Sequence, residues 1–264
     1  MFRNPSAIAF APEYSPQTST SFVGLNAVIV DKGNNLIRKL YATGSGDLQV
    51  STLAGTLPVS SVPVAGNVDG ESTAARFSGP SDAVFVSGAS YIVVADSGNH
   101  RLRAVNKVTG SVTTLAGSGL VPGHRDGAAT QARFSSPQGV AVTGQGLLLV
   151  ADSGNHAIRV IDLGTSTVST LAGSIYGFAG FVNGVGLDAA FNTPLRIAVL
   201  PGDTAVVTDS VNSAVRLVDV NTRAVTTLAG TGVAGFLDGD VFTATLSTPV
   251  GVARLGDGEL LIAD

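Results

Sequence analysis

The chain has 264 residues, of which 44% are hydrophobic and only 13% charged, and it contains 33 Gly and 11 Pro. This composition excludes a disordered chain, because burial of the apolar residues can offset the entropy lost on folding. The absence of cysteine excludes disulfides and thiolate metal sites, and a net charge of −4 gives no electrostatic reason to bind nucleic acid or anionic lipid. No window approaches 18 uninterrupted apolar residues, so no membrane segment is predicted, and nothing indicates a compartment.

An internal repeat runs through the chain. Residues 94–103 (VADSGNHRLR) return at 150–159 as VADSGNHAIR, and looser copies begin at Val30 and Thr208. The leading aspartates, spaced by 65, 56, 57 and 55 residues, are Asp31, Asp96, Asp152, Asp209 and Asp264. Leu-Ala-Gly keeps the same period, as does an Asp/Asn-Gly pair followed by an apolar residue and then by proline. Repeats of this length predict an array of equivalent structural units.

Each unit is predicted to form four short strands. In the second unit they cover 83–86, 91–95, 102–105 and 112–116. The Ser-Gly-Asn between the second and third strands is typical of a hairpin turn, because Gly and Asn tolerate positive φ. Several strands are apolar on both faces, as in sheets that are covered on both sides. Four-stranded antiparallel units at this period predict an all-β fold, a β-propeller. One short helical turn, which Asp126 could cap, is expected within 127–134.

The Asp-Ser-Gly-Asn-His-x-Ile/Leu-Arg segment has Pro-x-Gly-Val-Ala before it and Thr-Leu-Ala-Gly after it, and this order resembles the NHL repeat family. The period near 57 is similar to the longer variety of that repeat. The resemblance implies a propeller that closes with about six blades. We therefore expect four complete blades and half of a fifth in an open arc, a single domain over 1–264 truncated at its C-terminus. The repeats lie at about 4–55, 76–117, 133–173 and 190–230, with a partial one at 245–264.

The polar residues that recur once per unit are interpreted as structural. An active site needs different roles that converge on one point, whereas these residues return in every blade. We expect the aspartates to bond to turn amides and the arginines to lie across strands and pair locally. The set comprises Asp31, Asn34, Arg38, Asp96, Asn99, Arg103, Asp152, Asn155, Arg159, Asp209, Asn212 and Arg216.

Enzymatic chemistry finds little support in the sequence. Some NHL-like propellers are zinc-dependent lyases whose histidines converge on a central channel. Here His100 and His156 stand at a hairpin position that Asn35 and Ser213 occupy in other units, and His124 lies in a different loop. We therefore predict no catalytic residue, metal site or cofactor. A propeller-type lyase or hydrolase, with a channel-mouth site partly in missing blades, is the alternative.

The sequence does not predict a nucleic acid partner. Some NHL propellers bind RNA through a basic face, but only three of the 15 basic residues are lysines, and four arginines belong to the repeat. No basic stripe with interleaved aromatic residues emerges. RNA binding is the least favoured of the three functions.

The loops that differ between repeats are the predicted binding region. Equivalent loops of successive blades emerge on the same face of a propeller, and exposed aromatic residues suit a partner interface. The alternative is that these aromatics pack locally against the adjacent blade. We predict a non-catalytic scaffold that binds a protein or peptide; a purely structural spacer fits the same sequence, and no oligomeric state is indicated. The candidate loop residues are His124, Arg125, Tyr176, Phe178, Phe181 and Phe236.

Overall fold

A computed structural model describes residues 1–11, 24–43, 45, 47–119, 121–255 and 259–264, with side chains from residue 27 onward in the second of these ranges. Residues 12–23 of the first predicted repeat lie outside the described residues. The chain divides into two compact units, 1–120 and 121–264. No helix in the described ranges has the length and hydrophobicity needed to cross a membrane.

The first unit contains two four-stranded antiparallel sheets, each a simple meander. The first sheet consists of β1 (Ala7–Phe10), β2 (Gly24–Asp31), β3 (Leu36–Ala42) and β4 (Leu48–Ala54). The second consists of β5 (Pro80–Phe85), β6 (Tyr91–Asp96), β7 (Arg101–Asn106) and β8 (Val112–Ala116). Short 3₁₀ turns cover Lys32–Asn34, Ser72–Ala74 and Ser97–Asn99.

The second unit repeats this meander twice and ends in a hairpin. Its first sheet consists of β9 (Gly127–Ala128), β10 (Pro137–Val142), β11 (Leu148–Asp152), β12 (Ala157–Asp162) and β13 (Thr167–Gly173). Its second consists of β14 (Gly184–Val185), β15 (Pro194–Leu200), β16 (Thr204–Asp209), β17 (Ala214–Asp219) and β18 (Ala224–Ala229). The hairpin is β19 (Gly251–Arg254) with β20 (Leu260–Ala263), and the 3₁₀ turns are Ser153–Asn155, Gly186–Asp188 and Ser210–Asn212.

These sheets confirm the predicted all-β fold of four-stranded antiparallel propeller blades. We number the blades one to four in chain order. The two-residue strands β9 and β14 add to the outermost strand of blades three and four. In blade two a single bridge between Gly70 and Val112 occupies the equivalent place.

The core of each unit comes from the strands that the sequence shows as apolar on both faces. In blade two, residues 92–95 of β6 are completely buried. The phenylalanine that precedes each blade's proline is also fully buried, at Phe77, Phe134 and Phe191. Burying one such ring contributes about 1.5–3 kcal/mol. The repeat motif therefore places its bulkiest apolar residue in the core of each of these blades.

The turn between the second and third strands differs from the expected hairpin. Ser97–Asn99 form a 3₁₀ turn, and the positive φ of 55° falls on the following residue, His100. Gly98 is required for space instead, because a Cβ there would lie 2.6 Å from Ser78 Oγ and 2.7 Å from Ser78 O. The prediction that Gly and Asn supply the positive φ was therefore wrong.

The helical turn predicted within 127–134 is present as a single turn, in which the Ala128 carbonyl accepts hydrogen bonds from Gln131 N at 2.8 Å and Ala132 N at 2.9 Å, but it begins after Gly127 and lacks the predicted cap. Gly127 has a φ of +126°, which no α-helix uses, and it pairs with Val168 at the edge of blade three. The Asp126 carboxylate cannot cap a helix, because it accepts hydrogen bonds from Arg159 and Thr170.

Candidate functional site

A buried cluster of polar side chains lies at the turn between β6 and β7 in blade two. Asp96 Oδ1 accepts a hydrogen bond from the backbone N–H of Ser78 at 2.8 Å. Its Oδ2 accepts from Asn99 Nδ2 at 2.7 Å and from Arg103 Nη1 at 2.8 Å. The side chains of Asp96 and Arg103 are both fully buried. A buried ion pair is tolerated only when its remaining donors and acceptors are also satisfied, as they are here.

Blades three and four repeat the cluster closely. Asp152 lies 2.7 Å from both Asn155 Nδ2 and Arg159 Nη1. Asp209 lies 2.8 Å from both Asn212 Nδ2 and Arg216 Nη1. In blade one, Asn34 is bonded to Asp31 at 2.9 Å, but the Arg38 guanidinium is 3.7 Å from that carboxylate. The repeated polar residues thus meet within each blade.

The aspartates are predicted to bond to turn amides, and in blades one to four the turn amide that donates to each aspartate is the side-chain amide of the turn asparagine. No side chain caps the backbone N–H groups of these 3₁₀ turns. The backbone N–H that donates to each carboxylate belongs to the segment before the blade's first strand; the Ser135 N–H, for example, donates to Asp152 Oδ1 at 2.7 Å. The aspartate therefore ties the turn to the entrance of its blade. Burial raises the pKa of Asp152 to about 6, and the Arg159 charge and the N–H donors oppose this rise.

The arginines also reach a second acidic or amide residue that the sequence analysis did not connect with them. Arg103 Nη2 donates to the Asp69 side chain and, at 2.9 Å, to the carbonyl of Val68. The Asp69 Oδ2 atom accepts the backbone N–H of Thr114 at 3.0 Å. The equivalent partners are Asp126 for Arg159 and Asn183 for Arg216. The sequence signal for this pairing is the near-constant offset of 33 or 34 residues between the Asp/Asn-Gly pair and the arginine.

Stacking completes the cluster. The guanidinium carbons of Arg103 and Arg159 lie 5.3 and 5.1 Å from the ring centroids of Phe77 and Phe134. Desolvated cation–π contacts of this kind contribute about 2 kcal/mol. In each blade the arginine thereby holds the segment before the first strand against the core of the blade. We call the arginine, with its aspartate, asparagine and phenylalanine partners, the rigid base of the adjoining loop.

His124 belongs to this base in blade three. It is half-buried, and its Nε2 is 2.7 Å from Thr170 Oγ1. Burial, reinforced by the Arg159 charge, lowers the pKa of His124 to about 4, so its imidazole is neutral at pH 7. Arg125 is exposed, while its carbonyl accepts a hydrogen bond from Arg159 Nη2 at 3.0 Å.

The four candidate aromatic residues separate into two kinds. Tyr176 and Phe178 are 77% and 69% exposed, with ring centroids 6.1 Å apart. Phe181 covers the Arg216 guanidinium at 4.9 Å, and that same guanidinium has Phe191 at 5.2 Å. Phe181 therefore belongs to the local packing of blade four, as the alternative interpretation of the aromatic loops expected.

Phe236 occupies the repeat position of Phe181 but is 95% exposed. Tyr176 and Phe178 lie between β13 and β14, on the loop that joins blades three and four. Gly177, with a φ of +71° and open space around it, turns the chain between the two rings.

The loops of blades three and four are adjacent within the second unit. A Cβ added to Gly232 would lie 2.7 Å from Phe181 Cε1, so the segment after β18 packs directly against the segment after β13. This contact brings the variable residues 174–183 next to the segment that leads to Phe236. Exposed aromatics next to a rigid base suit a protein or peptide ligand.

His156 links two neighbouring blades. His156 Nδ1 accepts the backbone N–H of Thr193 at 3.0 Å, which links blade three to blade four. Asn35 does the same for Gly79 at 2.7 Å in the first unit. Burial lowers the pKa of His156, so its ring accepts this bond in the neutral form. Among the described residues no group of three His, Asp or Glu could hold a metal ion.

The inner-strand arginines named by the enzyme alternative differ in their surroundings. Arg196 Nη1 donates to the carbonyl of Gln138 at 3.0 Å, and Arg254 is exposed on the hairpin.

Comparison with known proteins agrees with the repeat. The family model described as NHL repeat matches residues 134–161. Human NHL repeat-containing protein 2 is 37% identical over 265 residues, which cover 89% of this chain and 36% of that protein. Protein SUPPRESSOR OF QUENCHING 1, chloroplastic, of Arabidopsis thaliana is 30% identical over 244 residues, covering 89% and 22%. The chain thus spans well under half the length of these curated relatives.

A solved structure shows the same fold at a much lower sequence identity. The virginiamycin B lyase of Staphylococcus aureus superimposes with a TM-score of 0.56 and 12% identity, covering 98% of this chain and 62% of the lyase. An identity this low shows a shared fold and carries no statement about activity.

Proposed function

This chain belongs to the NHL-repeat family, and from that premise we propose that it is a non-catalytic recognition module. It binds a protein or peptide through the loops after β13 and β18, at residues 174–183 and 230–237. The observation that carries the proposal is the exposed Tyr176–Phe178 pair, whose rings lie 6.1 Å apart on a short loop between two complete blades.

The hydrogen bonds that hold the aromatic loop in place support a binding function more than a catalytic one. Arg216 holds the carbonyl of Val182 at 2.9 Å and the Asn183 side chain at 2.8 Å, which fixes the end of the aromatic loop. A loop that is already held loses little entropy when a partner binds, so more of the contact energy appears as affinity. Aromatic side chains on such a loop are typical anchors of protein interfaces.

The surrounding surface indicates the chemistry of the partner. Ile175 and Val182 are 40% and 49% exposed beside the aromatic pair, whereas the loop 174–183 contains no charged residue. An apolar loop of this kind fits an apolar or aromatic segment of a polypeptide. It offers no cations for the phosphates of a nucleic acid, whose affinity depends on them.

Selection from a displayed peptide library tests the proposal. Peptides selected on the wild-type chain are measured against the double variant Tyr176→Ser/Phe178→Ser and against Val108→Ser, which removes an 84% exposed apolar side chain from a turn in the first unit. Loss of two anchor residues is expected to weaken binding about 30-fold or more. Val108→Ser leaves the affinity unchanged. Selected peptides that bind the double variant as well as the wild type would refute the proposal.

A further inference from the structure

The segment before blade three carries two arginines directly opposite each other. This segment, residues 123–134, folds back on itself, and we call it the entry hairpin; Gly123 N donates to the Phe134 carbonyl at 3.1 Å. Arg125 N donates to the Arg133 carbonyl at 3.4 Å, and Arg133 N donates to the Arg125 carbonyl at 3.0 Å, so the two residues form an antiparallel bridge. Residues paired in this way carry their side chains on the same face.

That face of the entry hairpin is open to solvent. The neighbours of Arg125 in the chain, His124 and Asp126, face the rigid base of blade three. Because side chains alternate along an extended chain, Arg125 faces outward, and both it and Arg133 are exposed. A Cβ on Gly123 would lie 3.3 Å from Arg133 Cδ, so the stem of this arginine crosses the glycine. The two guanidinium groups therefore share one surface.

No acidic group balances the two charges. Among the residues that the structure describes, neither guanidinium of the pair forms an ion pair or a hydrogen bond. The neighbouring carboxylate, Asp126, is already bonded to Arg159 and to the backbone N–H of Thr170 on the other side of the hairpin. Like charges directly opposite each other on paired strands are destabilising. The pair therefore lowers the stability of the isolated chain.

The fold does not require this pair. The equivalent bridge joins Val68 to Arg76 in blade two and Val182 to Ala190 in blade four, with the same backbone pairing. Neither of these blades has two arginines at the bridge, so the hairpin forms without them. A destabilising feature that the architecture does not need is expected at a functional site.

The chemistry of the pair selects a doubly charged oxyanion. Each guanidinium offers a planar fork of N–H donors that binds phosphate in a bidentate manner. Two forks supply two positive charges, which match the charge of about −1.5 to −2 on a phosphomonoester at pH 7. A carboxylate carries one charge and two oxygens, so a single arginine would be enough to hold it. The surface beside the pair is also accessible, because a Cβ on Gly127 would meet no atom within 4 Å.

We propose that Arg125 and Arg133 form a binding site for a phosphorylated side chain of a polypeptide. The two forks hold the phosphoryl oxygens, and the main chain of the ligand lies over the open backbone at Gly127. The choice of a polypeptide as carrier rests on the proposed function. It also agrees with the net charge of −4, which opposes nucleic acid and anionic membranes, since both bring many negative charges at once.

Titration of the full 264-residue chain with the end-capped peptide Gly-Ala-phosphoserine-Ala-Gly tests the site. The NMR signals of the Nε–Hε groups of Arg125 and Arg133 are expected to shift and to saturate with a Kd on the order of 1 mM. Arg125→Gln and Arg133→Gln should each weaken binding at least about tenfold, because each removes a charged fork. Arg133→Lys keeps the charge without the fork and should bind with intermediate affinity. The unphosphorylated peptide, and the peptide with Glu for phosphoserine, should bind at least about tenfold more weakly.

Blade two offers a matched control and a gain of function. Arg76 is an exposed arginine at the same hairpin position but faces a valine, so Arg76→Gln should leave the affinity within about twofold of the wild type. Val68 is 42% exposed, and Val68→Arg recreates the pair; it should add a second saturable shift at the Arg76 signal. The melting temperature of Arg125→Gln should equal or exceed that of the wild type, since the substitution removes repulsion.

Further arms of the titration separate the carriers and the two proposals. Inorganic phosphate should bind at least about threefold more weakly than the phosphopeptide, because it covers no surface at Gly127. Equal affinity for inorganic phosphate, or Arg125-dependent binding to phosphatidylcholine vesicles that contain phosphatidic acid, would overturn the polypeptide carrier. Tyr176→Ser/Phe178→Ser should keep the phosphopeptide affinity, so failure of the aromatic site is distinguishable from failure of this one. Arginine signals that do not move, or an affinity that Arg125→Gln leaves unchanged, would overturn the site itself.

Discussion

The same chemical change, Asp to Asn, is expected to have very different effects at the two acidic partners of Arg159. Asp152 is fully buried and accepts three hydrogen bonds of 2.7 Å, from Ser135 N, Asn155 Nδ2 and Arg159 Nη1. In Asp152→Asn, either orientation of the amide places an NH2 group against at least one of these donors. Asp126 is 42% exposed and can exchange with water.

The expected losses of stability follow from the burial of Asp152 and from the native asparagine, Asn183, that blade four has at the position of Asp126. Removing the charge of Asp152 leaves the Arg159 guanidinium without its buried counterion, and breaking a buried pair costs about 3–5 kcal/mol. Asp126→Asn recreates the native arrangement of Asn183, whose Oδ1 accepts Arg216 Nη2 at 2.8 Å and Thr227 Oγ1 at 3.1 Å. We expect it to cost about 1 kcal/mol, the value of one hydrogen bond.

Denaturant unfolding followed by circular dichroism at pH 7 measures both variants against the wild type. The midpoint and slope are compared at equal protein concentration, so that a loss of cooperativity between blades is visible in the slope. A difference of at least about 2 kcal/mol between the two variants is expected. Equal losses, or a larger loss for Asp126→Asn, would show that the arginine is not held mainly by the buried aspartate.

Three further predictions concern the loops. The pKa of His124 is about 4 in the folded protein, below the value of 6.5 for an unfolded histidine, so the contribution of its neutral ring to stability is complete above pH 6.5 and is lost as the pH falls towards 4. His124→Asn should therefore flatten this part of the curve of stability against pH by about 1 kcal/mol, after allowance for the partial exposure of the ring. An unchanged slope would contradict the assignment. Tyr176→Ser/Phe178→Ser should change the free energy of unfolding by less than about 1 kcal/mol, since both rings are exposed, and a larger loss in thermal melts would place them in the core. Phe181→Leu should cost about 1 kcal/mol through the lost stacking on the arginine, whereas Phe236→Leu should cost nothing measurable in the same melts; equal costs would refute the distinction between them.

Much of the fold could be predicted from the sequence because its signals are local. The predicted strand 91–95 is observed as Tyr91–Asp96, and 112–116 is observed unchanged. A strand that is apolar on both faces and flanked by turn residues allows few alternatives, and four copies of the pattern average out local ambiguity. The turn at 97–99 was misjudged because the space around Gly98 depends on Ser78, which lies 20 residues earlier.

The candidate site was predictable only in part. The variable loops could be located, since they are where the repeats differ, but their exposure could not be read from the sequence. Phe181 and Phe236 hold the same repeat position, yet one ring packs on Arg216 and the other is 95% exposed. The exposure of a side chain depends on which distant residues pack against it, and the local sequence around the side chain does not identify those residues.

By itself, then, the sequence determined the repeat, the four-stranded blade and the residues that recur in each, because hydrophobic pattern and turn chemistry act over a few residues. Only the tertiary structure decided that Arg159 joins Asp152 with Asp126, which lies 33 residues away from it in the sequence. The physical reason is that a buried charge must find its partners wherever the packing places them, and packing brings together segments that no local pattern connects.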